Sequence, residues 1–122
     1  MNALAIALGA SLGALTRWGA GLWLNGRWSS GFPLGTLLVN LLGGLLIGMA
    51  LEWFGRQPNE LLKLLLVTGF LGGLTTFSSF SGESLAMLQR GHYGLALTHS
   101  AVHVLGSLAA AAAGFKLMRV LS

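Results

Sequence analysis

Thr36 and Asn40 stand four residues apart in a run of leucines, valines and glycines, so a helix there carries a hydroxyl and an amide on one face. Further on, the twelve residues from Gly72 to Glu83 hold five hydroxyls, three glycines and one carboxylic acid. His99, His103 and Ser107 repeat at steps of four and also share a helical face. Almost none of these groups carries a full positive charge, yet hydroxyls and the Asn40 amide are hydrogen-bond donors. Phe77 and Phe80 interrupt a set of serines, and phenyl rings bear partial positive charge on their edges. Such a set could replace the water around a small, strongly hydrated anion without holding it so tightly that passage stops.

The elements that must position these groups are set by composition. The chain has 122 residues, 54% hydrophobic and 8% charged, with 19 glycines and a mean hydropathy of +0.76. An ordinary soluble domain carries about 25% charged residues, so this chain cannot clothe a water-facing surface. Its glycines follow no triplet period, which excludes a collagen-like fold, and its apolar content excludes disorder. A membrane span takes roughly 20 apolar residues. The expectation is an all-α membrane protein of one domain, 1–122, with four spans at about 3–24, 33–54, 61–84 and 95–118. The turns between them are Asn25 to Gly31, Gly55 to Asn59, and Arg90 to Gly94. Short turns predict antiparallel packing of neighbouring helices. Met1-Asn2-Ala3 lacks the basic start of a signal peptide, so the first apolar stretch reads as a span.

Seven Lys and Arg against three Glu are scattered singly, so no basic patch points to nucleic acid. With no cysteine, disulfides and thiolate metal sites are out of reach. Arg56, Lys63, Lys116 and Arg119 fall on one side of the bilayer, and Arg27, Arg90 and Arg17 on the other. That near-balance suits two readings: one orientation with a modest positive-inside preference, or insertion both ways with opposite copies pairing.

Gly9 with Gly13, Gly44 with Gly48 and Gly69 with Gly73 are spaced for close helix approach, which does much of the work of association in lipid. In the third span, paired glycines followed by paired threonines are poor mid-helix sequence. The third helix is expected to be interrupted near Gly72 to Thr76, rather than continuous with glycines used for packing. Carbonyls freed by such a break are good ligands for a hard cation such as Na⁺, and non-helical backbone at this depth needs protein or water around it.

The stretches Gly13-Ala14-Leu15-Thr16-Arg17-Trp18, Gly35-Thr36-Leu37-Leu38-Val39-Asn40-Leu41-Leu42-Gly43 and Gly69-Phe70-Leu71-Gly72-Gly73-Leu74-Thr75-Thr76-Phe77-Ser78-Ser79-Phe80-Ser81 resemble the bacterial fluoride channel family Fluc, also called CrcB. The resemblance implies an antiparallel, dual-topology homodimer in the bacterial inner membrane. It implies two fluoride pathways exporting F⁻ passively from the cytoplasm, which lowers its toxicity. It also implies a structural, untransported Na⁺ at the dimer centre, held by the main-chain carbonyls of Gly72 and Thr75. By the same resemblance Asn40 lines the path, Phe77 and Phe80 form its phenylalanine pair, and Thr36, Ser79, Glu83 and Ser107 match a polar track. Arg17 matches an arginine near the cytoplasmic vestibule.

The fourth helix departs from the family's pattern, which often has Tyr and Ser where this chain has His99 and His103. Their spacing can bind Zn²⁺, but the sequence shows no third ligand; hydrogen bonding along the track is the other reading. Among rival functions, a proton-coupled drug exporter needs an ionisable group at mid-membrane, whereas Glu52, Glu60 and Glu83 lie near span ends. A non-conducting partner subunit accounts for the glycines but not for three polar stripes. No catalytic constellation is visible, so an enzyme is not expected.

Overall fold

The structure is a computed structural model that describes residues 1–24 and 32–122. The expected turn from Asn25 to Gly31, with Arg27, lies outside the described residues. Helix α1 runs over Asn2–Leu24 and α2 over Leu34–Arg56. A short α3, Glu60–Lys63, leads into a π-helical stretch, Leu64–Leu71, and one further α-turn, α4, Gly72–Leu74. After Thr75 and Thr76 the chain resumes as α5, Phe77–Gln89, and α6 covers Tyr93–Leu121. Among the described residues, four segments are long and apolar enough to cross a bilayer: Asn2–Leu24, Leu34–Arg56, Glu60–Gln89 and Tyr93–Leu121.

The helices overlap the stretches expected to span, with ends that differ for local reasons. α2 continues through Gly55 and Arg56, where Arg56 Nε pairs with Glu52 Oε1 at 2.9 Å one turn back. Asn59 then caps the third span by accepting from Leu62 N at 3.1 Å. The last turn tightens at Gly91, whose φ of +78° is open to glycine, so Gly94 belongs to α6 and not to the turn.

The third helix is broken, as expected, within Gly72 to Thr76, and the residues that leave the helix are Thr75 and Thr76. Thr75 has φ −84° and ψ 157°, and Thr76 has φ −151° and ψ 117°. Both are extended backbone, which suits β-branched residues. Gly72 and Gly73 stay helical. An unforeseen feature is the π-helical stretch just before, which ends where Leu71 O accepts both Thr75 N at 3.0 Å and Thr75 Oγ1 at 2.9 Å.

The glycine pairs are helix-packing faces. Gly9 and Gly13 of α1 lie on the backbone of Gly69, Phe70 and Leu74, and Gly44 and Gly48 of α2 lie on Ser107 and Ala111 of α6. Residue numbers rise together along both contacts, so the tightest pairs are parallel: first span with third, second with fourth. Short turns make sequence neighbours antiparallel, but small residues decide which helices actually touch. Val39, Leu71 and Leu74 form the small apolar core between them. Large apolar side chains such as Leu12, Leu22 and Leu105 face outward, as a hydrocarbon solvent permits.

This packing makes a first prediction. A Cβ on Gly44 would lie 2.6 Å from Ser107 O, and one on Gly48 would meet the backbone of Ala111. Gly48→Val is expected to cost about 1–3 kcal/mol by overpacking, read as a lower unfolding temperature in detergent. Gly55→Ala, where a Cβ meets nothing within 4 Å, is the control and should leave that temperature in place.

Candidate functional site

The break in the third helix is built around one side chain from α2. Asn40 Oδ1 accepts the Thr76 amide at 2.9 Å, and Asn40 Nδ2 donates to Thr76 O at 3.1 Å. This two-way clamp satisfies the non-helical backbone that would otherwise be costly in lipid. In a continuous helix Thr76 N–H would serve Gly72 O; here Asn40 takes it. Ser79 N–H would serve Thr75 O, but it donates to the Thr76 side chain at 3.0 Å as an N-cap. The break therefore withdraws the usual partners of the Gly72 and Thr75 carbonyls, the pair expected to hold a cation. Arg17 reaches in from α1 and donates Nε to Gly73 O at 3.0 Å.

Around this clamp the polar stripes converge. A cavity of about 480 Å³ is lined by Asn40, Thr75, Phe77, Phe80, His103 and Ser107, among others. A second, of about 360 Å³, is lined by Arg17, Trp18, Thr36, Ser79 and Glu83, and Thr76 borders both. The site residues inferred from sequence thus divide into two groups on either side of Thr76. Phe80 is buried, while Phe77 lines the first cavity but remains 76% exposed on the single chain. Their rings meet edge to face at 5.3 Å and 63°, a favourable quadrupole arrangement. Ser107 donates a long hydrogen bond to Asn40 O at 3.4 Å, which ties α6 to the same turn of α2.

Glu83 is held from two helices. Thr36 Oγ1 donates to its Oε2 at 2.5 Å, and His99 Nε2 lies 3.1 Å from its Oε1. His99 is fully buried, with Ser84 Oγ 2.8 Å from its Nδ1. The imidazole rings of His99 and His103 are 4.5 Å apart, and Phe80 packs on both, at 5.3 Å and 4.7 Å. The sequence offered no third ligand beside the two histidines. The fold supplies one: Glu83, His99 and His103 each bring a ligand atom within 4.8 Å of the others. Sixteen residues separate Glu83 from His99, and they belong to different helices, so no local spacing could reveal the cluster. The pairing of Phe32 with His99, ring centroids 5.3 Å apart, was equally hidden.

The family described as CrcB-like protein, Camphor Resistance (CrcB), matches residues 4–115. A protein of Bordetella petrii named "Fluoride-specific ion channel FluC" is 56% identical over 116 residues, covering 93% of this chain and 88% of the relative. Proteins of the same name from Aromatoleum aromaticum and Pseudomonas aeruginosa are 54% and 55% identical, covering 92% and 86% of this chain and 86% and 84% of their own lengths. With four apolar spans, a break clamped by Asn40, and a family match running from the first span to the last, the chain belongs to the CrcB family.

Proposed function

We propose that the chain is a fluoride-selective channel that lets F⁻ leave the cytoplasm passively across the bacterial inner membrane. The observation that carries this reading is the lining of the two cavities that meet at Thr76: hydroxyls, one amide, an imidazole, two phenyl rings and the Glu83 carboxyl, with Arg17 the one Lys or Arg among the described residues that line them. An anion entering such a path exchanges water for donors of moderate strength. The smallest halide gains most, because its charge is closest to each donor. Glu83 lines the second cavity, where Thr36 Oγ1 donates to one of its oxygens and His99 Nε2 lies against the other. The curated relatives carry the same function in their names.

In this reading the working unit is an antiparallel, dual-topology homodimer with two pathways. The near-balance of basic residues between the two sides supports insertion both ways. So does Phe77, which lines a cavity yet is 76% exposed on one chain; a second copy would enclose it. The carbonyls of Gly72 and Thr75 fit a structural Na⁺ at the dimer centre, because the break redirects the amides that would otherwise occupy them. When bound, the ion supplies a fixed positive charge between two helix breaks. The chain's own part is to present unengaged carbonyls: Asn40 takes the amide that would serve Gly72 O, and the Thr76 side chain takes the one that would serve Thr75 O.

Liposomes loaded with KF or KCl and holding the purified protein provide the test. On addition of a potassium ionophore, F⁻ is expected to leave rapidly and Cl⁻ to stay. Equal release of both halides would discard selectivity, and transport of an organic cation driven by a pH gradient would favour an exporter instead.

A further inference from the structure

His103 is the one described residue with a buried side-chain polar atom that has no hydrogen-bond partner: its Nε2. Buried donors and acceptors are nearly always paired, so an orphan calls for a partner from outside the protein, a water or an ion. What that something is depends on whether Nε2 carries a proton, and the neighbouring contacts settle the matter. Thr76 N–H can only donate, so the atom of Asn40 it meets at 2.9 Å is the carbonyl oxygen. Thr76 O can only accept, so the atom it meets at 3.1 Å is the amide nitrogen. The backbone fixes the Asn40 amide twice over. That same NH₂ lies 3.1 Å from His103 Nδ1, so Nδ1 must offer its lone pair. The neutral ring then carries its proton on Nε2.

We propose that Asn40 is a positioning residue that sets the tautomer of His103, so that an N–H donor, not a lone pair, serves the ion pathway and ligates the anion there. The assignment rests on the fluoride reading for the identity of the ion. His103 lines the cavity that also holds Phe77 and Phe80, so an anion taking the empty partner position of its Nε2 would meet an N–H beside two phenyl rings. Glu83 does not take this proton, because no acceptor among the described residues lies within hydrogen-bond distance of Nε2. The same tautomer argues against a metal at the Glu83, His99 and His103 cluster. A metal needs the bare Nε2, which would put an N–H on Nδ1 against the NH₂ of Asn40. Metal-binding histidines instead direct that N–H to an acceptor.

The test is nitrogen NMR of ¹⁵N-histidine-labelled protein in bilayers, with the His103 signals assigned by their loss in His103→Gln. The expected result is a protonated Nε2 and an unprotonated Nδ1, with Nε2 moving on addition of NaF and staying put with NaCl. In Asn40→Asp the carboxylate accepts from Nδ1 and the proton should move there. In the efflux assay His103→Leu should slow F⁻ by about 10- to 100-fold, the effect of losing a donor to a charged partner. His103→Gln, whose amide reaches close to the position of Nε2, should recover most of that loss. A proton found on Nδ1, an Nε2 signal indifferent to NaF in a protein that still conducts F⁻, or block of efflux by micromolar Zn²⁺ that disappears in His103→Gln would each overturn the assignment. A wild-type protein that releases no F⁻ would overturn the channel reading, and with it the anion but not the tautomer.

Discussion

Asn40→Asp is expected to reduce fluoride efflux about 100-fold while leaving a folded protein. The carboxylate can still accept the Thr76 amide, which Asn40 Oδ1 now receives at 2.9 Å, so half of the clamp survives. The other half reverses: a second carboxylate oxygen replaces the donor that serves Thr76 O and His103 Nδ1. A unit negative charge about 6 Å from a passing anion costs it about 3 kcal/mol at an effective dielectric of about 20, or about two orders of magnitude in occupancy. The measurement is F⁻ efflux per reconstituted protein, with size-exclusion chromatography to confirm the assembly. Efflux at the wild-type rate would mean that the ion does not pass beside this turn of α2.

Phe80→Ile is expected to slow efflux at least tenfold, equivalent to about 1.4 kcal/mol. Phe80 is the aromatic hub of the site, in contact with Phe77 at 5.3 Å, His99 at 5.3 Å and His103 at 4.7 Å. Isoleucine keeps an apolar side chain of similar bulk, so packing is disturbed only modestly. It has no quadrupole, so the aromatic electrostatics beside the cavity disappear. Phe77→Ile should leave the stability of the single chain nearly unchanged, because that ring is 76% exposed. Its effect on flux then measures the ring edge with little packing mixed in. Unaltered flux in both variants would place the path elsewhere.

The relation between the two phenylalanines and the Asn40 clamp is structural as well as chemical. Thr76 is the last extended residue before α5, and its side chain caps that helix by accepting from Ser79 N. Asn40 fixes Thr76, and Thr76 fixes the start of the helix that carries Phe77, Phe80 and Glu83. A loss at Asn40 therefore propagates to the phenylalanines without any direct contact. This is why Asn40→Asp, which keeps one of the two backbone bonds, is more informative than deletion of the side chain.

Much of the protein was legible as a sequence. The four spans follow from apolar run length and scarce charge, because a bilayer imposes a length of roughly 20 residues on whatever crosses it. The break in the third span was legible from its composition, since consecutive glycines and threonines weaken a helix wherever they occur. The glycine pairs announced packing faces for a similarly local reason. The polar stripes at Thr36 and Asn40, and at His99, His103 and Ser107, came from helical periodicity alone.

The tertiary structure decided what those local features meet. It set the break, within the expected Gly72 to Thr76, at the two threonines, because a partner 36 residues away receives the Thr76 amide and makes extended backbone tolerable there. It paired the first span with the third and the second with the fourth in parallel, where glycines let backbones touch. It brought Glu83 against Thr36 and His99, and it stacked Phe80 on the histidines. Helix formation and membrane length depend on neighbours along the chain, so sequence patterns record them. The hydrogen bonds that orient Asn40, and through it the proton of His103, depend on contacts across separate helices, which no spacing along the chain encodes.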